Sequence, residues 1–499
     1  MLLEILFSVH TWTFAIILTS AYVLRSRRRP VFPIVNSHLI DSFSRKANRE
    51  YSTNAATLIT EGLAKHHGPV TLAIPNGRKI VLPSSLTSWV KSNKDLDHRE
   101  LVRQDFYSDF PGFEGLTLLH SGDMLMDVIK TKLGQNDSLM PTMNKSAVKA
   151  LEVHWGNDKV WHAIDWQMDT TGIIARVASS VFVGPEKSDD AQWLDVVQGY
   201  VAAYFSAVNE LHGYPAWSRP MVQKFLPNAT ACRKYVVQAR DIMNKVLVKR
   251  RQEVEKANLE GKSPPRYNDA LAWTQTASGG KMEAGDVQLS LAMAALFTTS
   301  ELFRQVLIDL AEHPELIEPL REEISQQIST HGVSVAATSA MVLLDSILKE
   351  SQRRSAPLVG LERVVLKDVI LPSGQRIPAG SHVMVDSTNL WDPAVYPDPD
   401  EFDGYRFLRK REAGDKTSQF VQSGSEFSVF GGGRHLCPGR FFAANELKLA
   451  VAHILLKYDI QLAEGYEVGS LQLGVYKVVD PMVKLEVKRR EAVDVDMLL

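Results

Sequence analysis

Cysteine is nearly absent, with Cys232 and Cys437 the only two in 499 residues and no C-x-x-C anywhere. That excludes a disulfide scaffold and a conventional zinc site, and it fits a reducing compartment. Neither sign of charge is in surplus. There are 56 Lys and Arg against 58 Asp and Glu, a net charge of −2, so nothing marks the chain for nucleic acid. No G-x-G-x-x-G and no P-loop occur, so the chain brings no nicotinamide, flavin or nucleotide motif of its own. No Pro/Gly/Ser-rich linker, internal repeat or charge block divides residues 45–499. The hydrophobic content of 45% is ample for one large core.

One long apolar run is present, Ile5 to Leu24, about long enough to span a bilayer although His10, Thr11 and Thr13 weaken it. Arg25, Arg27, Arg28 and Arg29 follow at once, which places the C-terminal side in the cytosol. Glu4 stands where a cleaved signal peptide would carry positive charge, so the run reads as a signal anchor. Pro30 and Pro33 then predict a short stiff hinge. The expected organisation is a membrane anchor over 1–29, a proline hinge over 30–44 and one domain over 45–499. In that orientation the sequons at Asn136, Asn144 and Asn228 stay unglycosylated.

The stretch Phe430-Gly-Gly-Gly-Arg-His-Leu-Cys437-Pro-Gly-Arg440 is the most informative. Three glycines, Gly431 to Gly433, predict a tight loop. Pro438 reads as the first position of a helix running to about Lys457, with Cys437 as its N-cap. Free N–H groups and partial positive charge at a helix start favour thiolate over thiol. One thiolate held by so little side-chain bulk suits a soft metal centre, and Gly439 leaves the first turn slim enough for a flat macrocycle. Three plainer readings compete on the loop alone. It lacks the Lys-Ser/Thr of a phosphate cradle; Cys437 could be an inert buried cysteine; and Cys232 is the only partner for a zinc site.

Phe430, Gly433, Cys437 and Gly439 match F-x-x-G-x-x-x-C-x-G, and the loop resembles the haem-binding loop of the cytochrome P-450 family. The run G-R-H-x-C-P-G-R-F-F-A is similar to one fungal branch of it. The resemblance implies a mainly α fold with a small β-rich subdomain, carried behind an N-terminal transmembrane anchor helix. It makes Cys437 the axial ligand of haem b, with Phe430, Gly431, Gly433 and Gly439 shaping its seat. Most members carry Arg where this chain has His435, so His435 is implied as the donor to a haem propionate.

Two more stretches extend the resemblance. Asp286 to Glu312 predicts one helix, apolar all round its middle and roughly 40 Å long at ~1.5 Å per residue, ending before His313-Pro314. By itself a threonine there is expected to bond back to the carbonyl four residues earlier. The family's motif [AG]-G-x-[DE]-T-[TS] instead aligns Ala294, Ala295, Phe297, Thr298 and Thr299, which implies a cofactor face at the alanines and proton relay to dioxygen at Thr298. Phe297 replaces the usual acid and can pass no proton, which puts tight coupling in doubt. Glu350-Ser-Gln-Arg353 would ordinarily be a surface pair; in the family E-x-x-R is buried and joined by a second arginine, here Arg406. These three are implied to form one structural network bracing the cysteine loop.

Val70–Ile74 and Lys79–Leu82 around Pro75-Asn76-Gly77 predict a β-hairpin. Residues 106–127 read as a long loop, which the resemblance lays over the substrate. Amphipathic helices are expected near Trp193–Leu211 and Arg233–Asn258. Phe297, Pro357, Leu358 and Val359 are implied as substrate-facing, with a second wall near Gly469–Tyr476; core packing explains each equally well.

The implied activity is hydroxylation of a hydrophobic small molecule in fungal secondary metabolism, a terpenoid or meroterpenoid. Dioxygen and NADPH electrons are used through a separate cytochrome P-450 reductase, with cytochrome b5 as a second donor. The implied location is the endoplasmic reticulum membrane, with the catalytic domain cytosolic. Desaturation, ring formation or peroxide-driven chemistry at the same haem, and a haem-bearing sensor without turnover, stay open from sequence.

Overall fold

A computed structural model describes residues 11–13, 31–38, 41, 44–118, 122–134, 136–469 and 471–491. The expected membrane anchor and its arginines lie outside the described residues, apart from 11–13. Among the described residues one helix is long and apolar enough to cross a membrane, Ala284–Glu312, and 67% of its apolar window is buried in protein. It is a core helix.

In chain order the principal elements are α1 (Arg45–His66), β1 (Val70–Ile74), β2 (Gly77–Leu82), β3 (Leu96–Asp97) and α2 (His98–Asp105). Helices α3 (Met140–His154), α4 (Trp166–Phe182), α5 (Ala191–His212), α6 (Pro227–Leu259), α7 (Ala284–Glu312) and α8 (Val342–Ser355) follow. Then come β4 (Val359–Val365), β5 (His382–Asp386), α9 (Arg440–Lys457), and the hairpin β6 (Leu471–Leu473) and β7 (Tyr476–Val478). The fold is mainly helical, with a five-stranded sheet in the order β1-β2-β5-β4-β3. Only the β2–β5 pair is parallel; the rest are antiparallel.

Aspartate caps start several helices where the apolar period begins. Asp97, Asp165 and Asp190 accept backbone N–H bonds at the N-termini of α2, α4 and α5. The Pro33 region is not a free hinge. Phe32 is buried, Thr71 N–H donates to Pro33 O at 2.8 Å, and the Asn36 amide bonds Ala47 O and both backbone groups of Ala73. An amide that donates and accepts at once stitches this stretch to the edge of β1.

Helix α7 runs through the main core, packed by α4, α5, α6 and α8. Its crossing with α6 is close enough to require Gly285, where a Cβ would lie 2.5 Å from Arg240 N. The same crossing is pinned by the Arg240–Asp286 pair at 2.8 Å. Around it, the sequons are structural: Asn136 caps a turn, Asn144 is buried and Asn228 donates to Glu210.

The core also holds an imidazole that resists protonation. His453 on α9 is fully buried with Nε2 2.7 Å from Asn144 Oδ1, and burial holds its pKa down at about 3. The unfolded chain takes up that proton below about pH 6.5, so stability should fall as pH drops from 6.5 toward 3. The loss from this residue alone should be on the order of 2 kcal/mol by pH 5. Urea unfolding of His453→Gln at pH 7 and pH 5 checks this: the variant should lose distinctly less stability between the two than the parent. Equal losses would remove His453 from the acid sensitivity.

Candidate active site

The cysteine loop is built by close approach of two chain segments. Gly431 and Gly433 have φ of +78° and +62°, and a Cβ on Gly433 would sit 2.1 Å from Lys91 O. The backbone closes on itself, with Cys437 N–H donating to Phe430 O at 2.9 Å and Gly431 N–H to Ser428 O at 2.8 Å. The Phe430 ring packs edge-on against Phe420 at 5.2 Å. Helix α9 starts at Arg440 with Gly439 as its cap, so Cys437 is not the N-cap expected from Pro438.

The sulfur sits two residues outside the helix, and its pKa is pushed up, not down. Burial dominates; the N–H groups of Gly439 and Arg440 and the Arg440 charge oppose it. In protein alone the thiol form wins, and a bonded metal cation is what would reverse that balance. Above the loop, a Cβ on Gly439 would meet nothing within 4 Å, so this side is open to a flat ligand.

Helix α7 opens one stripe in a helix otherwise sealed. Ala294, Phe297 and Thr298, spaced i, i+3 and i+4, are exposed, while Leu291, Met293, Leu296 and Thr299 are buried. Ala295 is half-buried beside them. The Thr298 hydroxyl donates to Ala294 O at 2.9 Å, the bond anticipated for any mid-helix threonine, and the residue lies on the exposed stripe. Phe297, 46% exposed, contacts the Phe205 ring at 4.9 Å. The turn Glu114–Thr117 within 106–127 packs on α7, with Gly115 N–H donating to Tyr200 Oη at 2.9 Å.

Glu350, Arg353 and Arg406 do form one buried network. Arg353 meets Glu350 with two bonds of 2.8 and 2.9 Å, and Arg406 Nε reaches the same carboxylate at 3.1 Å. Their remaining donors go to the carbonyls of Leu390, Pro397, Asp398 and Pro399, upstream of the cysteine loop. The approach to that loop is held by two residues the sequence reading missed, Lys349 and Asp345. Lys349, fully buried, donates to Thr417 O (2.5 Å), Gln419 O (2.8 Å) and Gln422 O (3.3 Å); Asp345 accepts from Phe420 N–H at 2.9 Å. The i, i+4 spacing of 345, 349 and 353, which puts them on one face of α8, was the available signal.

Beside the loop lies a buried guanidinium with few partners, flanked by two imidazoles and by Arg434, which is paired with Asp97 at 2.7 Å. Arg363 is 3% exposed, yet among the described residues it donates only to the neighbouring Glu362 O at 2.7 Å; burial pulls its pKa down to about 10. His435 Nε2 accepts from Arg434 Nε at 2.9 Å, which leaves the proton on Nδ1. Burial, then the Arg363 charge, drives its pKa down to about 3, so it is a neutral donor at physiological pH. His98 stands edge-on at 6.1 Å. A buried guanidinium this poorly paired calls for anionic oxygens. The open α7 stripe, the Gly439 face, the single thiol, the Arg363 guanidinium and the His435 N–H therefore fit a haem with its propionates.

The family model for cytochrome P450 matches residues 124–488. The chain is a cytochrome P450. It is 34% identical over 479 residues to cytochrome P450 monooxygenase adrA of Penicillium rubens, covering 94% of each chain. It is 33% identical over 484 residues to cytochrome P450 monooxygenase ntnM of a Nectria species, covering 95% of this chain and 92% of that one. The retinoic acid-bound cyanobacterial CYP120A1 shares the fold, with TM-score 0.67 at 17% identity, over 92% of this chain and 99% of that one. This P450 is a monooxygenase that uses haem with a thiolate ligand, dioxygen, and NADPH-derived electrons delivered by a reductase.

Of the implied substrate wall, Leu358 and Val359 are packed with Ala55, Ile59, Leu72 and Met384 in the core between α1 and the sheet. Both are buried there, so neither side chain faces open space; Pro357 is half-buried. The late hairpin keeps an open side at Tyr476, 49% exposed.

Proposed function

We propose that this P450 hydroxylates a hydrophobic terpenoid or meroterpenoid skeleton in fungal secondary metabolism. The observation that carries the reading is the open stripe Ala294–Phe297–Thr298 on a helix whose other faces are sealed. Cys437 is the residue that ligates the iron, and Arg363 with the Nδ1–H of His435 holds the propionates. Haem bound in this way supplies dioxygen activation and oxygen transfer to a C–H bond. The protein's part is to bind, to exclude water and to deliver protons. Ala294 and Ala295 keep the helix thin at the cofactor, while Phe297 and Phe205 present apolar surface that orients a hydrocarbon skeleton and displaces water. With Phe297 at the acid position, protons enter through the Thr298 hydroxyl, which leaves Ala294 O to donate toward the cavity and is reprotonated by solvent.

The run Ile5–Leu24 anchors the chain in the endoplasmic reticulum membrane with its catalytic domain in the cytosol, where the reductase and cytochrome b5 reach it. The test is a panel of terpenoid substrates with reductase: product should require both NADPH and oxygen. In Thr298→Ala, product formed per NADPH should fall about tenfold or more while NADPH oxidation continues. Unchanged product per NADPH would remove Thr298 from proton delivery.

A further inference from the structure

Only one Ser-Pro occurs in the 499 residues, Ser263-Pro264, with no Thr-Pro anywhere, and nothing in the chemistry above uses it. It stands between α6 and the helix Ala270–Ser278, in a stretch, 262–268, that is neither helix nor strand. Residues 258–266 are all exposed, and among the described residues nothing hydrogen-bonds to 263–266. Pro264 and Pro265 keep the stretch extended, because each disfavours helix in the residue before it and neither has an N–H to offer.

The stretch is tethered at both ends. Lys262 N–H donates to Ala257 O at 2.8 Å and closes the last turn of α6. On the far side the Arg250 guanidinium lies over the Tyr267 ring at 4.2 Å, Asn268 donates to Ser138 Oγ at 2.9 Å, and Asp269 pairs with Arg250 at 2.7 Å. A hydroxyl on an exposed, extended and tethered stretch can enter the cleft of another enzyme without unfolding the domain. Its neighbours select that enzyme. Arg266, three residues on, is exposed and among the described residues has no ion pair. Glu260 and Gly261 stand where a kinase that reads upstream arginines would need them.

We propose that Ser263 is a phosphorylation site for a proline-directed serine/threonine kinase, and that the phosphate loosens the last turn of α6. The Ser263 oxygen bonds to the γ-phosphorus of ATP and the bond from that phosphorus to its bridging oxygen breaks. ADP leaves, and the hydroxyl proton passes to the kinase's catalytic carboxylate. The product puts about two negative charges beside the carbonyl end of α6, where the helix dipole is already negative. It also repels Glu260 and competes with it for Lys262, whose Nζ donates to Glu260 Oε2 at 2.7 Å. None of this depends on the haem.

The experiment treats the purified holoenzyme with ATP and a cyclin-bound cyclin-dependent kinase, and reads phosphate by intact mass and peptide mapping. One phosphate should appear, at Ser263, and Ser263→Ala should take none. Arg266→Ala should slow the reaction roughly five- to tenfold, because the guanidinium no longer meets an anionic site on the kinase. A peptide of residues 258–269 should react within about threefold of the rate of the folded protein. The cAMP-dependent kinase, which reads upstream arginines, should leave Ser263 unmodified. Amide hydrogen exchange over 256–260 should be faster in the phosphorylated protein. The inference is overturned if the peptide reacts while the folded protein resists, if neither reacts, or if the phosphate maps elsewhere. It is equally overturned if Arg266→Ala reacts as fast as the parent, if the second kinase modifies Ser263, or if exchange is unchanged.

Discussion

Cys437→Ser should abolish both turnover and the thiolate-type band in the reduced carbon-monoxide spectrum, with the fold retained. The sulfur is the only atom in the loop with the softness and charge to hold iron from one side. Its surroundings show how little else supports the charge. Burial pushes its pKa up, and two backbone N–H groups and the half-exposed Arg440 oppose that only in part. A thiolate in this position depends on the metal, and a serine alkoxide has no comparable affinity. The loop itself closes through Cys437 N–H and Phe430 O, so the substitution removes no backbone bond. Circular dichroism should therefore match the parent. A thiolate band that survives in Cys437→Ser would place the ligand elsewhere, and Cys232, buried in the α5–α6 core with its pKa pushed up to about 12, is a poor substitute.

Arg353→Leu should be the most destabilising single change outside the loop. Glu350 and Arg353 are both fully buried, and the guanidinium makes two bonds to the carboxylate and one each to Leu390 O and Pro399 O. Removing it strands a buried carboxylate and two carbonyls, with only Arg406 left on Glu350 at 3.1 Å. Such a loss costs about 3–5 kcal/mol, a large share of the ~5–15 kcal/mol that holds a folded domain together. Urea unfolding should show the midpoint fall sharply, and haem content per chain should fall with it. Arg353→Lys keeps the charge without the fork and should lie between the two. An unchanged midpoint and full haem content in Arg353→Leu would show that the network carries no stability.

The same network marks the edge of what a pattern can convey. E-x-x-R and the distant Arg406 were legible as a set, and the three side chains do meet. Their outer partners were not legible, because carbonyl oxygens carry no residue identity. Lys349 was passed over for a related reason: a lysine inside a helix reads as solvated until the chain that surrounds it is known. Leu358 and Val359 went the other way. Their place after E-x-x-R suggested a substrate wall, but α1, some three hundred residues earlier, covers that face. At Cys437 the error was one of two residues in a helix start, since Pro438 and Gly439 form a turn before α9 begins.

What the sequence determined by itself were the local facts: the glycine loop, the lone cysteine in it, the long apolar helix, the hairpin over 70–82, and a phenylalanine where an acid is usual. Each depends on neighbours a few residues away, so periodicity and backbone chemistry suffice. Tertiary structure alone decided that Arg363 and His435 flank the loop, which stripe of α7 stays open, and which carbonyls Lys349 meets. Those groups come from strands and helices hundreds of residues apart, and burial and electrostatics act across space without regard to order along the chain.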